Sequence, residues 1–196
     1  MGGKVVVVGS FNTDLVTYLP RLPQAGETVA GHEFVTGPGG KGSNQAVAAA
    51  RLGGEVHFIG KVGQDSFADI GWQLWREHGI QTAFVFVDEG AATGIASIFV
   101  QENGENMIAL AAGANGRLSP ADIDRAEDAI RAADVLLVQL EVPLETVQRA
   151  LSVARKHGVT TILNPAPAQP LPTEILALAD YITPNEGELR RLTGVG

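Results

Sequence analysis

Between Gly37 and Gly42 the chain places four glycines in six positions, as Gly37-Pro38-Gly39-Gly40-Lys41-Gly42, and Ser43-Asn44 follow at once. So much glycine cannot fill a core. The next residues, Gln45-Ala46-Val47-Ala48-Ala49-Ala50-Arg51-Leu52, are mostly helix formers and run into a Gly53-Gly54 stop. The stretch predicts a tight loop feeding a buried helix. The first N–H groups of such a helix have no intrahelical partner and the positive end of its dipole faces outward, so bare backbone there can hold hydroxyls, carboxylates or phosphates. Glycine permits the close approach.

Two nucleotide motifs nearly fit this loop. Gly37-x-Gly39-x-x-Gly42 satisfies the dinucleotide fingerprint, but that fingerprint belongs directly after the first strand, and here about 28 residues intervene. Gly40-Lys41 has the start of a phosphate-binding loop, yet Gly42 stands where a magnesium-binding Ser or Thr must follow the lysine. A turn that merely lets a helix pack closely is the structural alternative. Lys41 and Asn44 speak for a ligand, since they set polar side chains at the helix mouth.

Val5 to Val8 is a short apolar, β-branched run closed by Gly9, the pattern of a strand buried on both faces of a parallel sheet, and it is expected to be central. Just beyond it, in Ser10-Phe11-Asn12-Thr13-Asp14, Asn12 and Asp14 point the same way if the chain stays extended. Ligands bind at that end of an open α/β sheet. An Asx turn is the alternative reading.

From Leu15 to Thr36, prolines and glycines interrupt short alternating pieces, Glu27-Thr28-Val29-Ala30 and Glu33-Phe34-Val35, which read as thin β structure. A partner comes later: Thr93 to Val100 alternates, Asn103-Gly104 is a strong hairpin signal, and Met107 to Ala111 returns. Together they predict a small β lid over 15–36 and 92–113, too small to be stable alone. Residues 1–14, 37–91 and 114–196 would form the α/β domain. Within it, Val56–Ile59 and Phe84–Val87 read as strands around a Ser66–His78 helix, whose Trp72 and Trp75 are read as packing residues.

After the lid, strands at Val135–Leu140, Thr160–Leu163 and Tyr181–Thr183 alternate with helices at Pro120–Ala132, Leu144–His157, Thr173–Ala179 and beyond Pro184. That spacing implies right-handed parallel crossovers. Polar groups recur at the strand ends: Asn12 and Asp14, Glu141, Asn164, then Asn185 with Glu188. A carboxylate at the rim of a buried sheet, like Glu141, is costly unless paired or used, although helix capping would also place it there. Asn185-x-x-Glu188 equally suits a capping box.

These motifs, Gly9-Ser10-Phe11-Asn12-Thr13-Asp14, Gly39-Gly40-Lys41-Gly42-Ser43-Asn44, Gln139-Leu140-Glu141, Asn164-Pro165-Ala166-Pro167 and Thr183-Pro184-Asn185-Glu186, resemble in order those of the PfkB family of carbohydrate kinases. The resemblance implies a ribokinase-like three-layer α/β sandwich with a mostly parallel, Rossmann-like sheet and a β lid. It further implies ATP-dependent phosphorylation of a sugar, D-ribose to ribose 5-phosphate, with magnesium and a monovalent cation (K+) as cofactors. Asn12, Asp14, Gly40, Lys41, Gly42, Asn44 and Glu141 would bind the sugar, and Ala96 and Ile98 would cover it. Asn185 and Glu188 would match the family's N-x-x-E motif beside the ATP phosphates, with Glu188 toward the metal. The family's Gly-Ala-Gly-Asp segment, which holds the catalytic base, the anion hole and, farther on, the K+ site, does not occur in these 196 residues. The expectation is a truncated kinase with no catalytic aspartate of its own, inactive alone. A noncatalytic sugar-binding or dimerising fragment, or a kinase for another sugar such as fructose, is the alternative, with a nicotinamide oxidoreductase a distant third.

Partner classes follow from charge. With 14 Lys and Arg against 22 Asp and Glu, the net charge of −8 argues against nucleic acid or an anionic membrane. Zero cysteines exclude disulfides and thiolate metal sites, and the four histidines show no ligand spacing. No run suits a signal peptide or membrane span, so a cytoplasmic protein is expected, as a homodimer through the lid.

Overall fold

The structure is a computed structural model and describes residues 2–194; residue 1 and residues 195–196, the outer ends of the ranges expected above, lie outside it. In chain order come β1 (Lys4–Val8), β2 (Asn12–Leu19), β3 (Glu33–Gly39), α1 (Lys41–Arg51), β4 (Glu55–Gly63), α2 (Ser66–Glu77) and β5 (Gln81–Asp88). Then follow β6 (Gly94–Gln101), β7 (Asn106–Ala111), a 3-10 turn over Gly113–Arg117, α3 (Pro120–Arg125), α4 (Glu127–Arg131) and β8 (Val135–Val138). α5 (Leu144–Lys156), β9 (Thr160–Leu163), α6 (Thr173–Leu176), β10 (Tyr181–Ile182) and α7 (Glu186–Thr193) complete it.

Six parallel strands form the main sheet in the order β10-β9-β8-β1-β4-β5, so β1 is interior, as its apolar run requires. Period-two alternation divides β1 between two cores. Val6 and Val8 pack with Ile123, Ile130, Leu136, Val147 and Leu151 under α3, α4 and α5, whereas Val7 packs with Phe11, Ala46, Phe58 and Trp75 under α1 and α2. Helices on both faces of the sheet make three layers. Trp75 anchors the second core: its ring lies 5.1 Å from Phe11, 5.0 Å from Phe58 and 5.3 Å from Trp72, and its indole N–H donates to Ser43 Oγ at 2.9 Å. The tryptophans are packing residues, and Trp75 also pins α1 to α2.

A second sheet, β3-β2-β6-β7, stands beside the first. β2 pairs antiparallel with β3 and parallel with β6, and β6 pairs antiparallel with β7 across a turn at Gly104 (φ +84°). Two expectations change. Glu27–Ala30 forms no strand: Glu27 instead closes a turn, its N–H donating to the Gln24 carbonyl and its carboxylate accepting from Gln24 N–H and Arg21. The helix expected over Pro120–Ala132 breaks at Ala126, whose N–H bonds back three residues to Ile123; this tighter turn keeps Ile123, Ala126 and Ile130 all fully buried.

α1 begins hard against the β1–β2 junction. A Cβ on Gly42 would lie 2.6 Å from Ser10 N and 2.7 Å from Gly9 Cα, both backbone atoms. Intrinsic propensity favours alanine over glycine in a helix by about 1 kcal/mol, whereas overpacking costs about 1–3 kcal/mol. Gly42→Ala is therefore expected to lower the urea midpoint, and a raised midpoint would contradict this packing.

Candidate functional site

In a parallel sheet all carboxyl ends face one edge, so the segments after β1, β8, β9 and β10 share a rim. Ser10 follows β1, Glu141 follows β8, and Asn185 follows β10. Gly40 turns the chain from β3 into α1 with φ +87° and lies so close to Phe11 and Asn12 that its Cβ would meet their backbone at 2.8 Å.

The first N–H groups of α1 are not bare. Lys41 N–H donates to Glu141 Oε2 at 2.9 Å, Gly42 N–H to Ser10 Oγ at 3.4 Å, and Ser43 N–H to the Ser10 carbonyl at 2.9 Å. Ser10 Oγ donates in turn to Glu141 Oε2 at 2.5 Å. The anion that the helix terminus attracts is thus the protein's own carboxylate, brought from the end of β8. That is the partner Glu141 needs at a buried rim. Its Oε1 accepts no protein hydrogen bond among the described residues.

Asn12 and Asp14 are the first and third residues of β2, so they sit on the smaller sheet rather than in a loop of the main one. Asp14 is half-buried against Gly39, where any Cβ would come within 2.1 Å of Asp14 Oδ1. No protein group donates to its carboxylate among the described residues. Burial first, and the charge of Glu141 second, raise its pKa above the ordinary aspartate value. An unpaired carboxylate so placed makes Asp14 a candidate ligand contact. Ala96 lies directly across from Asp14 on β6, and Ile98 two residues farther out, opposite Val16. Both line the same face of the smaller sheet.

Asn44 lies in the first turn of α1, and no hydrogen bond among the described residues joins its side chain to this group. It is exposed and lines a cleft of about 370 Å³ with Pro38, Val47, Ala48, Arg51 and Leu74. Lys41 enters the cluster through its backbone N–H. A second cleft, of about 350 Å³, opens beside Glu141 between Leu110, Ala112, Pro143 and Pro167.

Asn185 caps α7. Its side chain accepts from Glu188 N–H at 2.8 Å, while Glu188 accepts from Asn185 N–H at 2.8 Å and from its Nδ2 at 3.0 Å, so the reciprocal capping box is complete. Both residues are near solvent on the rim. β10 is three strands from β1, a lateral offset of roughly 14 Å at the usual strand spacing of about 4.8 Å. Among the described residues, no three His, Asp or Glu side chains gather into a metal site, and no helix is long and apolar enough to cross a membrane.

One buried residue at the site escapes sequence reasoning. Asn115, 1% exposed, accepts from Phe11 N–H at 3.0 Å and donates to the Phe11 carbonyl at 2.7 Å and to Asn12 Oδ1 at 2.9 Å. In Gly113-Ala114-Asn115-Gly116 it reads as an ordinary turn residue. The available signal is its place where the chain leaves the second sheet.

The sequence model described as pfkB family carbohydrate kinase matches residues 3–196. The chain is 46% identical over 195 residues to the ribokinase of Haemophilus influenzae, covering 100% of this chain and 64% of that protein. It is 44% identical over 192 residues to the deoxyribokinase of Salmonella typhi, covering 97% and 63%. The solved structure of Arabidopsis thaliana ribokinase complexed with ribose and ATP superposes with a TM-score of 0.89 at 34% identity, covering 99% of this chain and 64% of that one. The chain thus spans less than two thirds of the length of these relatives.

The raised pKa of Asp14 has a consequence for stability. The folded chain binds that proton more tightly than the unfolded chain, so ionised Asp14 lowers stability at neutral pH, and the loss is relieved as pH falls through the raised value toward the ordinary one. Asp14→Asn is expected to raise the melting temperature at pH 7, with the gain shrinking in acid. An equal effect at every pH would contradict the assignment.

Proposed function

The chain belongs to the pfkB family of carbohydrate kinases, and from that premise we propose that the protein it builds transfers a phosphoryl group from ATP to D-ribose, giving ribose 5-phosphate. The observation that carries this reading is the pair of neighbouring acceptors, Asp14 without a protein donor and Glu141 with Oε1 open, where the rim of the main sheet meets the smaller sheet. Sugar hydroxyls donate to such acceptors, and the Asn12 amide supplies a complementary group. Polar groups left unpaired by a wrong sugar would supply the selectivity. Ala96 and Ile98 would close the smaller sheet over the sugar and exclude water, as transfer to an alcohol rather than to water requires.

Asn185 and Glu188 would lie beside the phosphates of ATP, some strands away from the sugar. One carboxylate without an acidic cage fits an ion that arrives already bound to phosphates, as magnesium does. When bound, ATP supplies the phosphoryl group and magnesium neutralises its charge. Glu188 would hold that ion while its capping bonds fix the α7 terminus. Lys41, Gly40, Gly42 and Asn44 are assigned to the sugar side, with Gly40 and Gly42 acting by close backbone approach. A monovalent cation, expected for the family, has no residue assigned here.

We further infer that residues 1–196 bind the sugar without turning it over, because the family's Gly-Ala-Gly-Asp segment is not among them and Asp14 belongs to sugar binding. Calorimetry with ribose, 2-deoxyribose and fructose, alongside ADP release in the presence of ATP, magnesium and potassium, tests both statements. Heat with ribose and no ADP is expected. ADP formed by these residues alone would refute the missing base, and stronger binding of another sugar would reassign the substrate.

Farther out than Asp14 and Ala96 on the same face, the smaller sheet exposes an apolar patch on its outer strands, Val35 of β3 (43% exposed) and Ile108 of β7 (57% exposed), with Val16 and Ile98 in register between them. We propose that a second copy covers it, making a homodimer in the cytoplasm, since neighbouring exposed apolar side chains of this kind suit an association surface. Light scattering should report a dimer that Ile108→Asp converts to monomer. A monomeric parent chain would remove the proposal.

A further inference from the structure

Backbone groups have fixed polarity, and side-chain amides placed against them inherit it. Phe11 N–H can only donate and the Phe11 carbonyl can only accept, so the Asn115 amide, bonded to both, has one permitted orientation: Oδ1 toward the N–H and Nδ2 toward the carbonyl. The second Nδ2 hydrogen of Asn115 then points at Asn12 and requires an acceptor there, which is Asn12 Oδ1 at 2.9 Å. Asn12 must consequently direct its own NH2 the other way. Among the described residues no protein acceptor takes those hydrogens.

We propose that Asn115 is a positioning residue that fixes the polarity of Asn12, so that Asn12 presents hydrogen-bond donors to the sugar beside the acceptors Asp14 and Glu141. The assignment deepens the sugar-site reading above and rests on it for the identity of the ligand. Its physical basis is independent of ligand, since a buried amide turned the wrong way would set two acceptors or two donors face to face. The space is built for this contact. A Cβ on Gly94, opposite Asn12 in register, would lie 2.3 Å from both Asn12 Oδ1 and Asn115 Nδ2. Asn115 also joins the exit of the smaller sheet, after β7, to its entrance at β2.

Two measurements on the 196-residue chain test this. In the 15N-labelled protein without sugar, both side-chain amide protons of Asn115 should show the small temperature coefficients of hydrogen-bonded groups and those of Asn12 the large ones of free groups; the reverse pattern overturns the proposal. Calorimetry with ribose then supplies a double-mutant cycle. Asn115→Ser should weaken ribose about ten-fold in the parent chain, the cost of a misdirected hydrogen bond, and less than about two-fold when Asn12→Ala is already present. An equal loss in both backgrounds would mean that Asn115 acts without Asn12 and would sink the assignment. If Asn115→Ser fails to fold, the resonances of the parent chain still decide. If ribose binds nowhere while the expected amide pattern holds, the sugar reading fails and the polarity of Asn12 stands.

Discussion

Where α1 starts, backbone lies directly on backbone: Gly42 against Gly9 and Ser10, Gly40 against Phe11 and Asn12. No side chain could be interposed there without moving the helix. Because the contact is so close, Ser10 accepts from two N–H groups of the first turn, those of Gly42 and Ser43, and donates to Glu141, so the charged end of a carboxylate can be held at the positive helix terminus. β1, β8 and α1 are thereby tied at one point. Beside that point Glu141, at the rim of the main sheet, comes within electrostatic range of Asp14 on the smaller sheet.

The same geometry explains why the site stores unfavourable energy. Glu141 is stabilised on one oxygen by a serine hydroxyl and a helix N–H, whereas Asp14 has burial and a neighbouring like charge with no protein donor to offset them. A protein optimised only for folding would not keep Asp14. The proposed sugar would supply from its hydroxyls the donors that this acceptor-rich rim lacks.

Much of this was legible before any coordinates. The apolar run of β1, the helix beginning at Ser66, the helix beginning at Leu144 and the Asn103-Gly104 hairpin all express local stereochemistry, which a few neighbouring residues settle. Strand ends bearing polar residues were likewise visible, because parallel crossovers send every carboxyl end to one edge. Both readings of Asn185-x-x-Glu188 were visible too, and the capping box is realised in full. Asn115 was not legible, since its partners lie more than a hundred residues earlier.

By itself, then, the sequence determined the order and kind of the elements, the glycine loop ahead of α1 and the family to which its motifs belong, for these depend on short-range periodicity and residue type. Only the tertiary structure decided that Glu141, separated by 100 residues from Lys41, occupies the helix terminus, that Asn12 and Asp14 ride on the smaller sheet, and that Asn115 orients Asn12. The physical reason is that a hydrogen bond is chosen by distance and direction in space, and packing sets those between segments whose local patterns carry no information about each other.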